Sequence, residues 1–357
     1  MDTCVLFFCS TINYVLFIVA LLFSSMELDT GGRYRVRRQA PETLVTSDMK
    51  NWHKPALIVA LFSVLIASCT NSEFVLSIYY NRLDDRLGNS ILKHGKFSEL
   101  QTVALENSVG AFHAWHRQTQ LPEYARLLQT ISNSIAEPNL NTTRMVGQWV
   151  TQARHYRQTA LQCHPLNFSI ELMKTLSDEQ LIAIEQGLIK QRKKQGKEWT
   201  DMTTEKRIEL QFEKIMKWAS RVNINFNAEQ RLLIRGTLVQ QKYNYEYYQE
   251  RSEQWFSQLF NVARDQESAD YRDKMKTLID QRWGLWETIN PEASQHDLKL
   301  WQNFLVKFID SMTPTQRRDF VKWNTKMSAN IKSISQQEPE FPPAEDPSIG
   351  CLVKLYS

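Results

Sequence analysis

Two histidines three residues apart, His113 and His116, lie in the stretch FHAWHRQTQLPEYARLL from Phe112 to Leu128. On a helix, positions i and i+3 share a face, so both imidazoles can point the same way. With Glu123 just beyond, or His155 or His164 recruited from further along, they could furnish a metal or proton-transfer site. Zinc needs at least three protein ligands, so the pair alone is not enough. No general base of the HExxH kind accompanies it. The competing reading is structural. Phe112, Trp115 and Thr119 share a stripe, Leu121-Pro122 closes one helix and opens the next, and Tyr124, Leu127, Leu128 and Ile131 give that next helix an apolar face. The expectation is therefore a turn between two packed helices and not a metal centre.

The rest of the chain offers little reactive chemistry. It contains no GxSxG, HExxH or P-loop pattern. The cysteines are Cys4, Cys9, Cys69, Cys163 and Cys351, with no CxxC and no zinc-like spacing to histidine. Three of them fall in or at the end of hydrophobic N-terminal segments, so no disulfide framework is expected. A Cys163–Cys351 bridge in an oxidising compartment stays an open alternative, because spacing cannot specify the close approach it needs. No catalytic residue, metal or cofactor is expected.

These residues must be positioned by helices. The 357 residues are 42% hydrophobic and 23% charged, which is the balance of a folded chain, and only 11 are glycine. Leu, Gln, Glu, Lys, Arg and Ala are abundant, all favourable in helices. Apolar residues recur at helical spacing in three places: Ile208, Phe212, Ile215 and Ala219; Leu298, Trp301, Leu305 and Phe308; Phe320, Trp323, Met327 and Ile331. The stretch YNYEYY (Tyr243 to Tyr248) alternates briefly but lies in a polar helical region, where a packed or partner-facing surface is expected over base stacking. The expected fold is all-α, a multi-helix bundle or curved helical array. A net charge of +4 is too weak to imply nucleic acid as a partner.

A short pattern marks the expected helix starts. It reads FSELQ from Phe97, LSDEQ from Leu176, FNAEQ from Phe226 and MTPTQ from Met312, with looser forms LNTTR from Leu140 and MTTEK from Met202. Ser, Thr or Asn at the N-cap accepts a bond from a free backbone amide, and Gln three residues on can bond back. Pro314 falls at the first helical position, where its missing donor costs nothing. These are read as six helix starts and not as a site; their uneven spacing gives no solenoid period.

The amino terminus carries two hydrophobic segments. Cys4 to Phe23 has no charged residue and is long enough to cross a bilayer, with the basic RYRVRR (Arg33 to Arg38) after it. Met49 then opens MKNWHKPALIVALFSVLIASC, laid out as a secretory signal with Lys50 and Lys54 ahead of a short apolar run. Its end, Ile66-Ala67-Ser68-Cys69, resembles the lipobox of bacterial lipoproteins. The resemblance implies cleavage before Cys69 and acylation of its thiol and new amino group; several chains anchor stably where one does not. Residues 1–48 are read as a start-site artefact or an extra membrane span, 49–68 as the signal peptide, 69–336 as an all-helical periplasmic domain and 337–357 as a Pro-rich mobile tail. Thr70 after the lipid cysteine resembles an outer-membrane address.

The stretch AWHR…LPEYARLL, with NRLDDRL (Asn81 to Leu87) upstream and LSDEQL downstream, resembles a family of proteobacterial lipoproteins of unknown function. That family has no established catalytic residues, and none is carried over. The resemblance implies a lipid-anchored, non-catalytic helical protein of the outer membrane, facing the periplasm and binding an envelope protein or cell-wall partner. The helix-start pattern is also similar to the LTxxQ motif of small periplasmic stress chaperones, which makes a holdase or stress adaptor the first alternative. A metal-dependent enzyme using His113 and His116 is the second.

Overall fold

An N-cap side chain is the most local of all fold signals, and each of the six expected starts is capped as its sequence demands. Ser98, Ser177, Asn227 and Thr313 each accept from the backbone amide of the Gln three residues on, and that Gln side chain accepts from the cap amide in return. Asn141 accepts from Arg144 N and Thr203 from Lys206 N.

The computed structural model describes residues 72–163, 169–221, 224–242, 245–283 and 290–339. The lipobox with Cys69, the segments 1–48 and 49–68, Tyr243 and Asn244 of YNYEYY, and the tail beyond 339 lie outside them. Among the described residues there are thirteen α-helices, one π-helical turn and no strand, so the chain is all-α. In chain order they are α1 (Ser72–Tyr80), α2 (Leu83–Leu92), α3 (Glu99–Trp115), the π-helical turn (His116–Gln120), α4 (Leu121–Ala136), α5 (Thr142–Gln162) and α6 (Ile170–Met173). There follow α7 (Asp178–Thr200), α8 (Thr204–Arg221), α9 (Ala228–Gln240), α10 (Tyr245–Arg264), α11 (Tyr271–Trp283), α12 (Pro291–Asp310) and α13 (Pro314–Ser335). No helix among the described residues is long and apolar enough to cross a membrane.

The main core is built on α4, whose Leu121, Leu127, Leu128, Ile131 and Ile135 are buried. Against it lies α13 along its full length, antiparallel. Ser328 donates to Ala125 O at 2.7 Å and Arg317 to Ile135 O at 3.2 Å, which fixes the register at both ends. Helices α1, α5, α8, α9 and α12 complete this core with Trp149, Phe212, Ile234, Trp301, Phe304 and Phe308. Smaller cores lie between α6, α7, α10 and α11, around Met275 and Ile279 and around Leu181 and Phe260.

One arrangement recurs, and local sequence did not foretell it. The N-termini of α3 and α7 meet through their capping glutamines: Gln101 donates to Thr175 O at 2.8 Å, Gln180 to Lys96 O at 2.5 Å, and the two amides bond to each other. The N-termini of α9 and α13 meet in the same way, with Gln230 donating to Ser311 O at 3.2 Å, Gln316 to Asn225 O at 2.6 Å, and the amides again paired. In each case the acceptor is the carbonyl two residues before the partner's N-cap. The motif thus makes a two-sided clasp that joins distant segments as well as a helix start.

Candidate functional site

Proline 122 shapes the stretch that holds the histidines. Its ring crowds the carbonyl four residues back and it has no amide to donate, so a regular α-helix cannot run into it undisturbed. The chain widens into a π-helical turn over His116–Gln120 and continues directly as α4. Trp115, Gln120 and Leu121 all keep right-handed helical angles, so no turn separates α3 from α4. The expected helical hairpin is therefore replaced by one continuous, locally widened helix.

The widened turn directs polar side chains inward. His113, Arg117 and Gln120 are buried, and His116 is partly so. Helix α1 supplies Tyr80, whose hydroxyl lies 2.9 Å from His116 Nδ1, while Tyr124 OH stands 3.5 Å from Nε2. A neutral imidazole offers one N–H and one bare nitrogen, so one tyrosine donates to it and the other accepts. Phe112, Trp115 and Tyr124 close around the ring at centroid distances of 5.8, 6.4 and 5.6 Å. Burial first, then the positive surroundings of His113 and Arg117, push the His116 pKa down to about 3. Burial also raises both tyrosine hydroxyls, which stay protonated and are poor nucleophiles.

His113 faces a different partner. Its Nδ1 lies 3.4 Å from Asp84 Oδ2, on α2, and its ring packs on Tyr80 at 4.6 Å. Burial raises the Asp84 carboxyl, but the bond and charge of His113 and the Asp85 amide outweigh it and leave it below its ordinary range. His113 Nε2 is buried and has no hydrogen-bond partner. An Asp–His pair with a free Nε2 is the orienting half of a general-base arrangement. Among the described residues no hydroxyl or thiol is bonded to His113 Nε2, and the hydroxyls bonded to His116 are the two protonated tyrosines.

Glu123, the third residue considered for a metal, is committed elsewhere. It accepts from Tyr156 OH at 2.9 Å and pairs with Arg126. His155 packs on Tyr156, and His164 lies outside the described residues. The structure thus brings His113 and His116 to one cluster without bringing Glu123 into it as a co-ligand. Among the described residues no group of three His, Cys, Asp or Glu could hold a metal ion. Protein refolded with zinc is expected to hold the same zinc, by elemental analysis, as a His116→Ala variant; a loss specific to the variant would restore the metal reading.

Tyr80, Asp84 and Arg117 are the cluster members the residue-by-residue reading passed over. Asp84 belongs to NRLDDRL, so the signal was present without a partner assigned to it. Cys163, buried against Trp115 and Phe112, is disulfide-bonded. The four other cysteines of the chain all lie outside the described residues. A cavity of about 60 Å³ between α4, α5, α8 and α12, lined by Trp149, Trp218, Phe226 and Phe304 among others, is apolar throughout. It lacks the polar groups that orient a ligand. The polar cluster is the better candidate site.

A family model matches residues 97–289, that of a family of unknown function, DUF6279. The match contains α3, the π-helical turn and α4; α1 and α2, which supply Tyr80 and Asp84, precede it. No curated protein and no solved structure matches the chain.

Proposed function

We propose a role from one premise, that this chain belongs to DUF6279, a family whose function is not known: it is a lipid-anchored helical lipoprotein of a bacterial cell envelope, binding an envelope protein or cell-wall partner without turning it over. The observation that carries this reading is the disulfide at Cys163. Structural disulfides persist in oxidising compartments such as the periplasm and are rare in the cytosol. Cleavage before Cys69 and acylation of its thiol would leave Cys351 as the one cysteine able to pair with Cys163. The non-catalytic part is supported by the cluster's chemistry, in which His116 is enclosed between protonated tyrosines and Asp84–His113 has no nucleophile bonded to it.

Mass spectrometry of the protein purified from its native membrane tests the reading. The expected result is a mature chain beginning at Cys69 with a diacylglycerol thioether, and a non-reducing peptide map joining Cys163 to Cys351. A bare Cys69 thiol with preceding residues still attached would overturn the anchor. A bridge from Cys163 to Cys69 would do so as well.

A holdase is the second reading, and one observation favours it. Beside the clasp of α3 and α7, Leu100 is 83% exposed, with Val103 and Ile182 also exposed. Large apolar side chains in water near a repeated helix start are the kind of surface that catches unfolded clients. Light scattering of a denatured client decides it: suppression at a modest molar excess supports a holdase, and none at large excess removes it.

A further inference from the structure

The guanidinium of Arg117 is a buried charge without a counter-charge. The residue is 4% exposed, yet no carboxylate among the described residues pairs with it. Its Nη2 donates to Asn81 Oδ1 at 2.8 Å, its Nη1 reaches Gln337 Oε1 only at 3.5 Å, and its Nε has no partner. The guanidinium carbon sits 5.2 Å from the centre of the Tyr80 ring, a contact that orients the plane without neutralising it. The acid of the cluster, Asp84, is committed to His113. An arginine carries five donors in a planar fork, and an uncompensated ion in the interior is costly. Nearly all buried arginines are therefore paired.

What covers the guanidinium is neutral and sits at the surface. Gln337, two residues beyond α13, bonds to Ser77 and Asn81 of the α1 end: Asn81 Nδ2 donates to its Oε1 at 3.0 Å and its Nε2 donates to Ser77 Oγ at 3.1 Å. Asn81 is exposed and Ser77 and Gln337 are partly so. Two amide oxygens thus occupy the places where the oxygens of an anion would stand. They can swing away by side-chain rotation, with no helix unwound.

We propose that Arg117 is the counter-charge of a carboxylate ligand, which enters between the end of α1 and the end of α13 and replaces the oxygens of Gln337 and Asn81 on the guanidinium. One planar fork matches one planar carboxylate, two oxygens to two N–H groups. A phosphate dianion would want a second cation, and the side chains that the described residues set against this guanidinium, Tyr80, Asn81 and Gln337, are neutral. The inference holds whether or not Cys69 carries lipid, so a failed anchor would leave it standing.

The test is thermal unfolding of the detergent-solubilised full chain in sodium acetate or sodium succinate against sodium chloride at equal ionic strength. The native protein is expected to gain roughly 2–4 °C in Tm, saturably, at tenfold above Kd, and to gain nothing from phosphate. Arg117→Met is expected to abolish the gain and to raise Tm in chloride, because it removes an unpaired buried charge. Gln337→Ala, which only opens the cover, is expected to bind acetate more tightly, and it carries the test even if Arg117→Met does not fold. An equal response of native protein and Arg117→Met would overturn the proposal. So would no carboxylate response in either native protein or Gln337→Ala.

Discussion

Between pH 6.5 and pH 4.5 the protein is expected to lose about 2 kcal/mol of stability through His116 alone. In the unfolded chain this imidazole titrates near its ordinary 6.5, while in the fold its pKa lies at about 3. As pH falls below 6.5 the unfolded state takes up a proton that the folded state refuses. Stability therefore declines across the window and levels off only near pH 3. The limiting slope for one group is about 1.4 kcal/mol per pH unit. His116 is only partly buried as a residue, so somewhat less than that limit is expected. Every neighbour argues for the same sign. Tyr80 and Tyr124 are neutral, and His113 and Arg117 repel a second cation. Asp84 acts in a separate, more acid window, since its carboxyl sits below the usual range and loses its contribution only on protonation. Urea midpoints at half-unit pH steps give the curve, and His116→Gln, which keeps a donor and an acceptor but does not titrate, should flatten most of it. An unchanged slope in that variant would place the acid sensitivity elsewhere.

That neutral histidine could not be read from the linear chain. FHAWHRQTQLPEYARLL shows two imidazoles at helical spacing and invites a search for carboxylates nearby in sequence. The partner that matters is Tyr80, 36 residues upstream, and Glu123 is drawn away by Tyr156, 33 residues downstream. The break at Pro122 was legible, but its consequence was not. A proline near a helix junction permits a turn or a π-helical widening, and the widened turn is the form that packs against α5 and α13 and takes Tyr80 of α1 onto His116. What needs only a few neighbouring residues was fully legible: the all-α class, the apolar faces of α8, α12 and α13, and the six N-caps. The disulfide at Cys163 is not legible in the chain, because its geometry depends on approach in space.

The clasps show where local and tertiary roles of one residue part, and they set the second large effect. Gln230→Leu is expected to cost about 3 kcal/mol, against about 1 or less for Gln101→Leu. Both glutamines complete a capping box, so propensity and capping alone would rank them equal. Gln230, however, is 1% exposed. Its oxygen accepts from Asn227 N and its amide donates to Ser311 O and Gln316 Oε1, three part-buried bonds that its loss leaves open at once. Gln101 makes the matching bonds at a partly exposed site, where water takes over the abandoned groups. A double-mutant cycle of Gln230→Ala with Gln316→Ala should return a coupling of about 1 kcal/mol, since each amide is the other's partner. Denaturant unfolding of the single and double variants measures both numbers. Equal costs at the two clasps, or additive costs within one, would mean that the glutamines serve only to start their own helices and that the joining of α9 to α13 rests on apolar contact alone.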